Sequence, residues 1–382
     1  MKRVCVVVGS RANYSSIKSA MRAIVAHPEL ELQLVVGASA LLDRYGTVLE
    51  LIEDDGFEPD ERVFMLIEGE TPSTMAKSTG LGLLELPTAF ERLRPDIVIT
   101  VGDRFETMAT ALAATYMNIP LAHTMGGEVS GNIDESIRHA VTKFAHVHFP
   151  ACADAAERII RLGEEPGRVH VVGCPRMDLV AEVLARPGDG LSQIFRDGVG
   201  GTFDLDTPFA IVSQHPVTTE YGDGERQIAL TLSAVQEIGL PAIVLWPNAD
   251  AGSEDIARGI RKFREREDDS RLHFFKNLPT NDYVRLLAKT SVLVGNSSSA
   301  IREGSFIGTP SVNIGSRQHG RQRGSNVVDV DYDHAEIAGA IRAQVEHGPY
   351  EPEPIYGDGH AGERIADVLS RVDVAIEKRM TF

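Results

Sequence analysis

Cysteine is scarce in this 382-residue chain: Cys5, Cys152 and Cys174 lie far apart, their number is odd, and no CxxC or Cys/His spacing joins them. That excludes a disulfide framework and argues against a zinc site. Positive charge is short as well, with 38 Lys and Arg against 55 Asp and Glu and a formal net charge of -17. A phosphate backbone rewards a basic surface, so nucleic acid is excluded as a general partner. A small anionic ligand is still allowed, because a few local cations reverse the field at one site. Long apolar runs are missing too, and no stretch approaches the length of a membrane span. The N-terminal run Val4 to Val8 stops at Gly9-Ser10-Arg11, too short for a signal-peptide core and without a small-residue cleavage site. The expectation is a cytoplasmic protein with no membrane partner. No repeat or low-complexity tract is evident.

What is present is the profile of an ordinary soluble protein, 43% hydrophobic and 24% charged, at a length suggesting two or three domains. Short apolar runs alternate with helical patterns almost throughout. Val4 to Val8, Leu32 to Val36, Val63 to Leu66, Ile97 to Val101, Pro120 to His123 and Val147 to Phe149 read as strands, with helices such as Ser15 to Ala26 and Phe105 to Met117 between them. Continuous apolar strands are buried on both faces, hence a parallel sheet covered by helices. Turn-rich stretches at 186–190 and 198–201 flank a short helical pattern, and the alternation restarts with Phe209 to Val212, Ile243 to Leu245, His273 to Phe275, Val292 to Val294 and Ser311 to Ile314. The expected fold class is α/β, two doubly wound Rossmann-like domains facing a cleft, spanning 1–185 and 186–361. Gly362 to Lys378 reads as one amphipathic helix, whose attachment the pattern leaves open, packing back on the first domain being one option.

In open α/β sheets ligands sit beyond the carboxyl ends of the strands, so the residues just after each strand are the candidates. After the first strand, Gly9-Ser10-Arg11-Ala12-Asn13-Tyr14-Ser15 is not GxGxxG, which removes the main support for a nicotinamide cofactor. A glycine turn, Arg11 and hydroxyls opening a helix suit a phosphate, although Ser15 as a plain helix cap accounts for the pattern equally well. After the fourth strand comes Gly102-Asp103-Arg104-Phe105-Glu106, where Asp103 is either a site residue or an N-cap. His123-Thr124-Met125-Gly126-Gly127-Glu128 and Asn132 to His139 add Glu128, Asp134, Glu135 and Arg138, more acidic groups than capping needs. Asp134 and Arg138 also form an i,i+4 pair that serves stability alone. Paired carboxylates beside a cation are what proton abstraction next to a heteroatom requires. In the second half, His215 ends a strand in Val212-Ser213-Gln214-His215-Pro216. Gly295-Asn296-Ser297-Ser298-Ser299 leads to Glu303, and Arg321 follows the next strand. Backbone N–H groups with Ser297 and Ser298 suit a diphosphate, and Glu303 suits ribose hydroxyls. No metal and no cofactor are called for.

The runs GSRANYSSIK, GDR, GGEVSGNIDESIRHA, SQHPVTTE and GNSSSAIREGSFIGTPSVNIGSRQHGR, in this order along nearly the whole chain, resemble the UDP-N-acetylglucosamine 2-epimerase family, on its hydrolysing branch of sialic and legionaminic acid synthesis. The resemblance implies the glycosyltransferase-B type of fold, a UDP-sugar substrate and a homodimer or homotetramer. It also implies anti elimination of UDP through a 2-acetamidoglucal, then addition of water with reprotonation of C2 on the opposite face. By motif match Asp103 and Asp134 share the acid–base work, Arg138 orients the sugar and His215 acts near the leaving phosphate or the sugar. Arg11, Ser15, Arg104, Asn296, Ser297 and Ser298 face the nucleotide, Glu303 the ribose and Arg321 the anionic part. Many relatives carry glutamate two residues after the loop histidine. Here that position is Met125, which cannot transfer a proton, so Glu128 or Glu135 takes that role or the proton steps are shared differently. A non-hydrolysing epimerase, a glycosyltransferase of the same fold and a catalytically dead sensor are the competing readings. The sensor predicts loss of Asp103 or Asp134, and both are present.

Overall fold

The computed structural model describes the chain except residues 43–47, 69–70, 131–132, 187–190, 192, 218–219, 221, 248–251, 267–270, 277 and 382. The chain divides into two compact units. One comprises Met1–Val129, Ile133–Leu179 and Tyr356–Phe382, the other Ser130–Asn132 and Val180–Ile355.

The first unit is built on six parallel strands, β1 (Lys2–Val8), β2 (Leu30–Gly37), β3 (Glu61–Val63), β4 (Ile97–Val101), β5 (Leu121–Thr124) and β6 (Val147–Phe149). They lie in the order β3-β2-β1-β4-β5-β6. The order reverses between β1 and β4, where Val4 pairs with Ile97, so the loops after Val8 and Val101 emerge side by side at the switch point. Alternate residues of β1 serve opposite faces. Val4, Val6 and Val8 pack with Ile17, Met21 and Ile365, while Cys5 and Val7 pack with Leu86, Phe90 and Ala109. That two-sided burial is why the strand reads as an unbroken apolar run.

Two helices differ from expectation. Ser15 to Ala26 is two helices, Arg11–Ser15 and Lys18–Ala26, and the cap is Ser10, whose hydroxyl accepts from the Asn13 amide at 3.3 Å. The C-terminal helix is Ala361–Arg371 and ends well short of Lys378. It packs on Lys18–Ala26 so closely that a Cβ on Gly362 would lie 2.6 Å from the Ser19 carbonyl carbon. Asp178 caps it, accepting from the amides of Ala361 and Gly362 at 2.9 and 2.7 Å. Past the helix, Lys378 Nζ donates to the Lys143 carbonyl at 2.7 Å and pairs with Glu164. The first of these contacts meets a carbonyl in the last turn of helix Ile133–Phe144.

The second unit has seven strands, β7 (Val199–Gly200), β8 (Ala210–Ser213), β9 (Ala242–Leu245), β10 (Leu272–Phe275), β11 (Val292–Gly295), β12 (Ser311–Ile314) and β13 (Val327–Val330), in the order β13-β12-β11-β8-β9-β10-β7. All pairings are parallel except β7 on β10. The stretch 198–201, expected as turn alone, contains edge strand β7, where a Cβ on Gly200 would lie 2.2 Å from the Leu272 carbonyl oxygen. Of the turn expected at 186–190, residues 187–190 lie outside the described residues. No described helix is long and apolar enough to cross a membrane.

Candidate active site

In the first unit the loop after β4 turns at Gly102, whose φ of +75° favours glycine, and presents Asp103. The N-cap of helix Phe105–Tyr116 is Arg104, without a side-chain capping bond, and the Asp103 carboxylate goes instead to Arg138 on helix Ile133–Phe144. The Arg138 guanidinium also donates to the Glu128 carbonyl at 2.6 Å. Its side chain is 3% exposed and that of Asp103 is 24% exposed. A buried cation thus fixes in place a carboxylate that stays partly exposed. Asp103, Arg138 and the main-chain carbonyl of Glu128 come together here. Asp134 sits in the first turn of the same helix as Arg138, where the dipole favours an anion.

His123 braces this loop from beneath. Its Nε2 lies 2.7 Å from the Gly102 carbonyl oxygen and its Nδ1 3.2 Å from the Thr142 hydroxyl. Burial holds its pKa down to about 4, so the ring is neutral. Met125 has φ +61° and packs on the core of the first unit, so the position carries packing and no proton chemistry.

Arg11 and Ser15 lie at the two ends of the short helix after β1. The Ser15 hydroxyl accepts from Arg176 Nη2 at 2.8 Å, and Ser16 lies 3.3 Å from the same nitrogen. Arg176 is a cation that sequence reading missed. Its signal was an arginine in the first turn of helix Pro175–Ala185, 161 residues from the serine it reaches.

In the second unit β11 ends on Gly295, with φ +131° and a hypothetical Cβ only 2.2 Å from the Ser213 carbonyl oxygen at the end of β8. This close approach lets Asn296, which is 0% exposed, clamp the next loop. Its Oδ1 accepts from the His215 amide at 2.7 Å and its Nδ2 donates to the His215 carbonyl at 2.8 Å. Asn296 therefore commits its side chain to placing His215. Burial, with the nearby charge of Arg317, holds the His215 pKa down to about 3, leaving a neutral imidazole. Ser297 caps the single turn Ser298–Ala300, accepting from the Ser299 amide at 3.3 Å. Ser298 is partly exposed and Glu303, buried, opens helix Glu303–Ile307. Arg317 and Arg321 follow β12, with Arg317 Nη1 donating to the Asn296 carbonyl at 3.2 Å. Hydroxyls and cations thus share one strand-end loop cluster, which can hold a diphosphate. Among the described residues no group of three or more His, Cys, Asp and Glu is placed to hold a metal ion.

The clamp gives a test. Gly295→Ala is expected to cost well over ~1 kcal/mol, because it adds a clash to the left-handed backbone. Gly239→Ala, at a helix end with φ +78° and only Arg271 within reach at 3.3 Å, should cost ~1 kcal/mol. Thermal melts of the two variants check this, and equal losses would contradict the close approach.

The family model described as UDP-N-acetylglucosamine 2-epimerase matches residues 22–370. The chain is 32% identical to the hydrolysing UDP-N,N'-diacetylbacillosamine 2-epimerase of Legionella pneumophila, covering 97% of this chain and 96% of that one. It is 28% identical to the UDP-N-acetylglucosamine 2-epimerase of Neisseria meningitidis, covering 99% and 98%. Among solved structures, the Neisseria meningitidis UDP-GlcNAc 2-epimerase bound to UDP-GlcNAc superposes with a TM-score of 0.79 at 16% identity, over 96% of this chain and 99% of that one. The chain belongs to the UDP-N-acetylglucosamine 2-epimerase family.

Proposed function

We propose that this chain inverts C2 of UDP-N-acetylglucosamine and hydrolyses the nucleotide bond, releasing UDP and N-acetylmannosamine. The observation that carries the reading is the Asp103 carboxylate at the end of β4, held by Arg138 of helix Ile133–Phe144, which also bonds the Glu128 main-chain carbonyl. Asp103 takes the C2 proton, the C–H electron pair forms the C1–C2 double bond, and the C1–O bond breaks with UDP leaving as the anion. Water then adds at C1 while C2 receives a proton on its opposite face. Asp134 shares this acid–base work, and Arg138 orients Asp103. C2 is weakly acidic, so a placed base and a stabilised leaving group are both needed. The second unit supplies the latter, through Ser297, Ser298, Arg321 and neutral His215 at the diphosphate and Glu303 at the ribose. Arg11, Ser15 and Arg104 add contacts from the first unit. We assign the acid–base work to residues 1–185 and the main nucleotide contacts to 186–361. The same reading carries a cytoplasmic location, and the family resemblance implies a homodimer or homotetramer.

The hydrolysing outcome is supported by the 32% identical relative whose name carries that term. That name also favours a second reading of the sugar, UDP-N,N'-diacetylbacillosamine. Proton and phosphorus NMR of the products, with both sugar nucleotides offered, tests each point. Free UDP with N-acetylmannosamine is expected. UDP-N-acetylmannosamine without free UDP would make the enzyme non-hydrolysing. A kcat/KM more than about tenfold higher for the bacillosamine nucleotide, roughly 1.4 kcal/mol of discrimination, would establish the second reading.

A further inference from the structure

Glu106 lies in the first turn of helix Phe105–Tyr116, where a carboxylate ordinarily faces solvent and complements the helix dipole. Here it is 3% exposed, and both carboxyl oxygens are buried without a hydrogen-bond partner among the described residues. The side chain turns under the loop after β1. A Cβ on Gly9 would lie 2.3 Å from the Glu106 Cγ, so glycine at that position is what admits the carboxyl. Arg104 Nε lies 3.6 Å from Oε1, outside hydrogen-bond range, and the Arg104 side chain is 43% exposed. A buried carboxyl thus stands at ion-pair distance from a half-exposed guanidinium, between two loops proposed above to meet the ligand.

We propose that Glu106 is a positioning residue that acts through Arg104: its carboxyl, seated under the Gly9–Ser10 turn, competes with the diphosphate of a sugar nucleotide for the Arg104 guanidinium. The inference rests on the sugar-nucleotide reading above. The groups facing Glu106 are Arg104 and Asp103 from the loop after β4, the Ser10 hydroxyl from the loop after β1 and its own backbone amide. Burial is the largest influence and raises its pKa, with Asp103 adding to the rise. Arg104, the backbone amide and Ser10 oppose it without overcoming it. As the neutral acid, Glu106 leaves Arg104 to the diphosphate. Once ionised it pairs with that guanidinium and repels the ligand, so affinity falls as pH rises through its pKa.

The test is the Kd of UDP-glucose measured by calorimetry from about pH 5.5 to about pH 8.5, where a diphosphate diester stays fully ionised. Wild-type affinity is expected to fall with rising pH, towards about tenfold per unit above the Glu106 pKa. Glu106→Gln, which keeps the shape and cannot ionise, should flatten that slope. Arg104→Met, at an exposed side chain, should weaken binding at low pH and flatten the slope too, and adding Glu106→Gln to it should change nothing further. An unchanged slope in either single variant overturns the proposal, as does an effect of Glu106→Gln that persists without Arg104. Wild-type protein that binds neither UDP-glucose nor UDP at any pH overturns the sugar-nucleotide reading itself, an outcome distinct from binding with a flat slope.

Discussion

Asp103→Asn is expected to lower kcat by about a thousandfold, the middle of the range for loss of a general base, while UDP still binds. Asparagine keeps the size and can still accept from Arg138, but it cannot take a proton. The Arg138 guanidinium is held by Asp103 and by the Glu128 carbonyl, and its side chain is 3% exposed. Removing the negative partner leaves part of a buried charge uncompensated, so a loss of stability of up to ~3 kcal/mol accompanies the loss of rate. Thermal melts and UDP calorimetry on the same samples separate the two effects. A folded, UDP-binding variant that still turns over near the wild-type rate would remove Asp103 from the chemistry.

The double variant Ser298→Ala with Glu303→Gln is expected to weaken UDP binding by about thirtyfold. A neutral hydroxyl contact contributes ~1 kcal/mol, and the charge assistance lost when glutamine replaces the carboxylate while still accepting adds ~1 kcal/mol, together about 2 kcal/mol. Ser298 is partly exposed, whereas Glu303 is buried at the start of its helix, so glutamine is chosen to keep the packing. Calorimetry with UDP reads the change. Unchanged affinity would mean that the loop after β11 does not hold the nucleotide.

How much of this was legible in the sequence follows from how local each feature is. The central strands were readable because burial on both faces leaves unbroken apolar runs, as at Val4 to Val8 and Val292 to Val294. The edges of the second sheet were not. β7 is two residues long and exposed, and β13 has no fully buried residue and carries Asp329 inside it, so neither writes an unbroken apolar run. Candidate site residues were readable as residue types at strand ends, but not their partners. Arg138 reaches Asp103 across 35 positions and Asn296 clamps His215 across 81. Local spacing offered Asp134 as the partner of Arg138, and the family resemblance offered the nucleotide as the partner of Asn296. Glu106 drew no notice because an acidic residue in a helix's first turn has an ordinary explanation, and only its burial under Gly9 sets it apart.

Deuterium at C2 is the most direct test of the epimerisation itself. Wild-type protein with UDP-N-acetylglucosamine in deuterated water should yield free UDP and N-acetylmannosamine carrying solvent deuterium at C2, because the proton removed on one face is replaced from the other. Product that retains its original C2 hydrogen, or a substrate recovered unchanged and unlabelled, would contradict the elimination route and the roles given to Asp103 and Asp134.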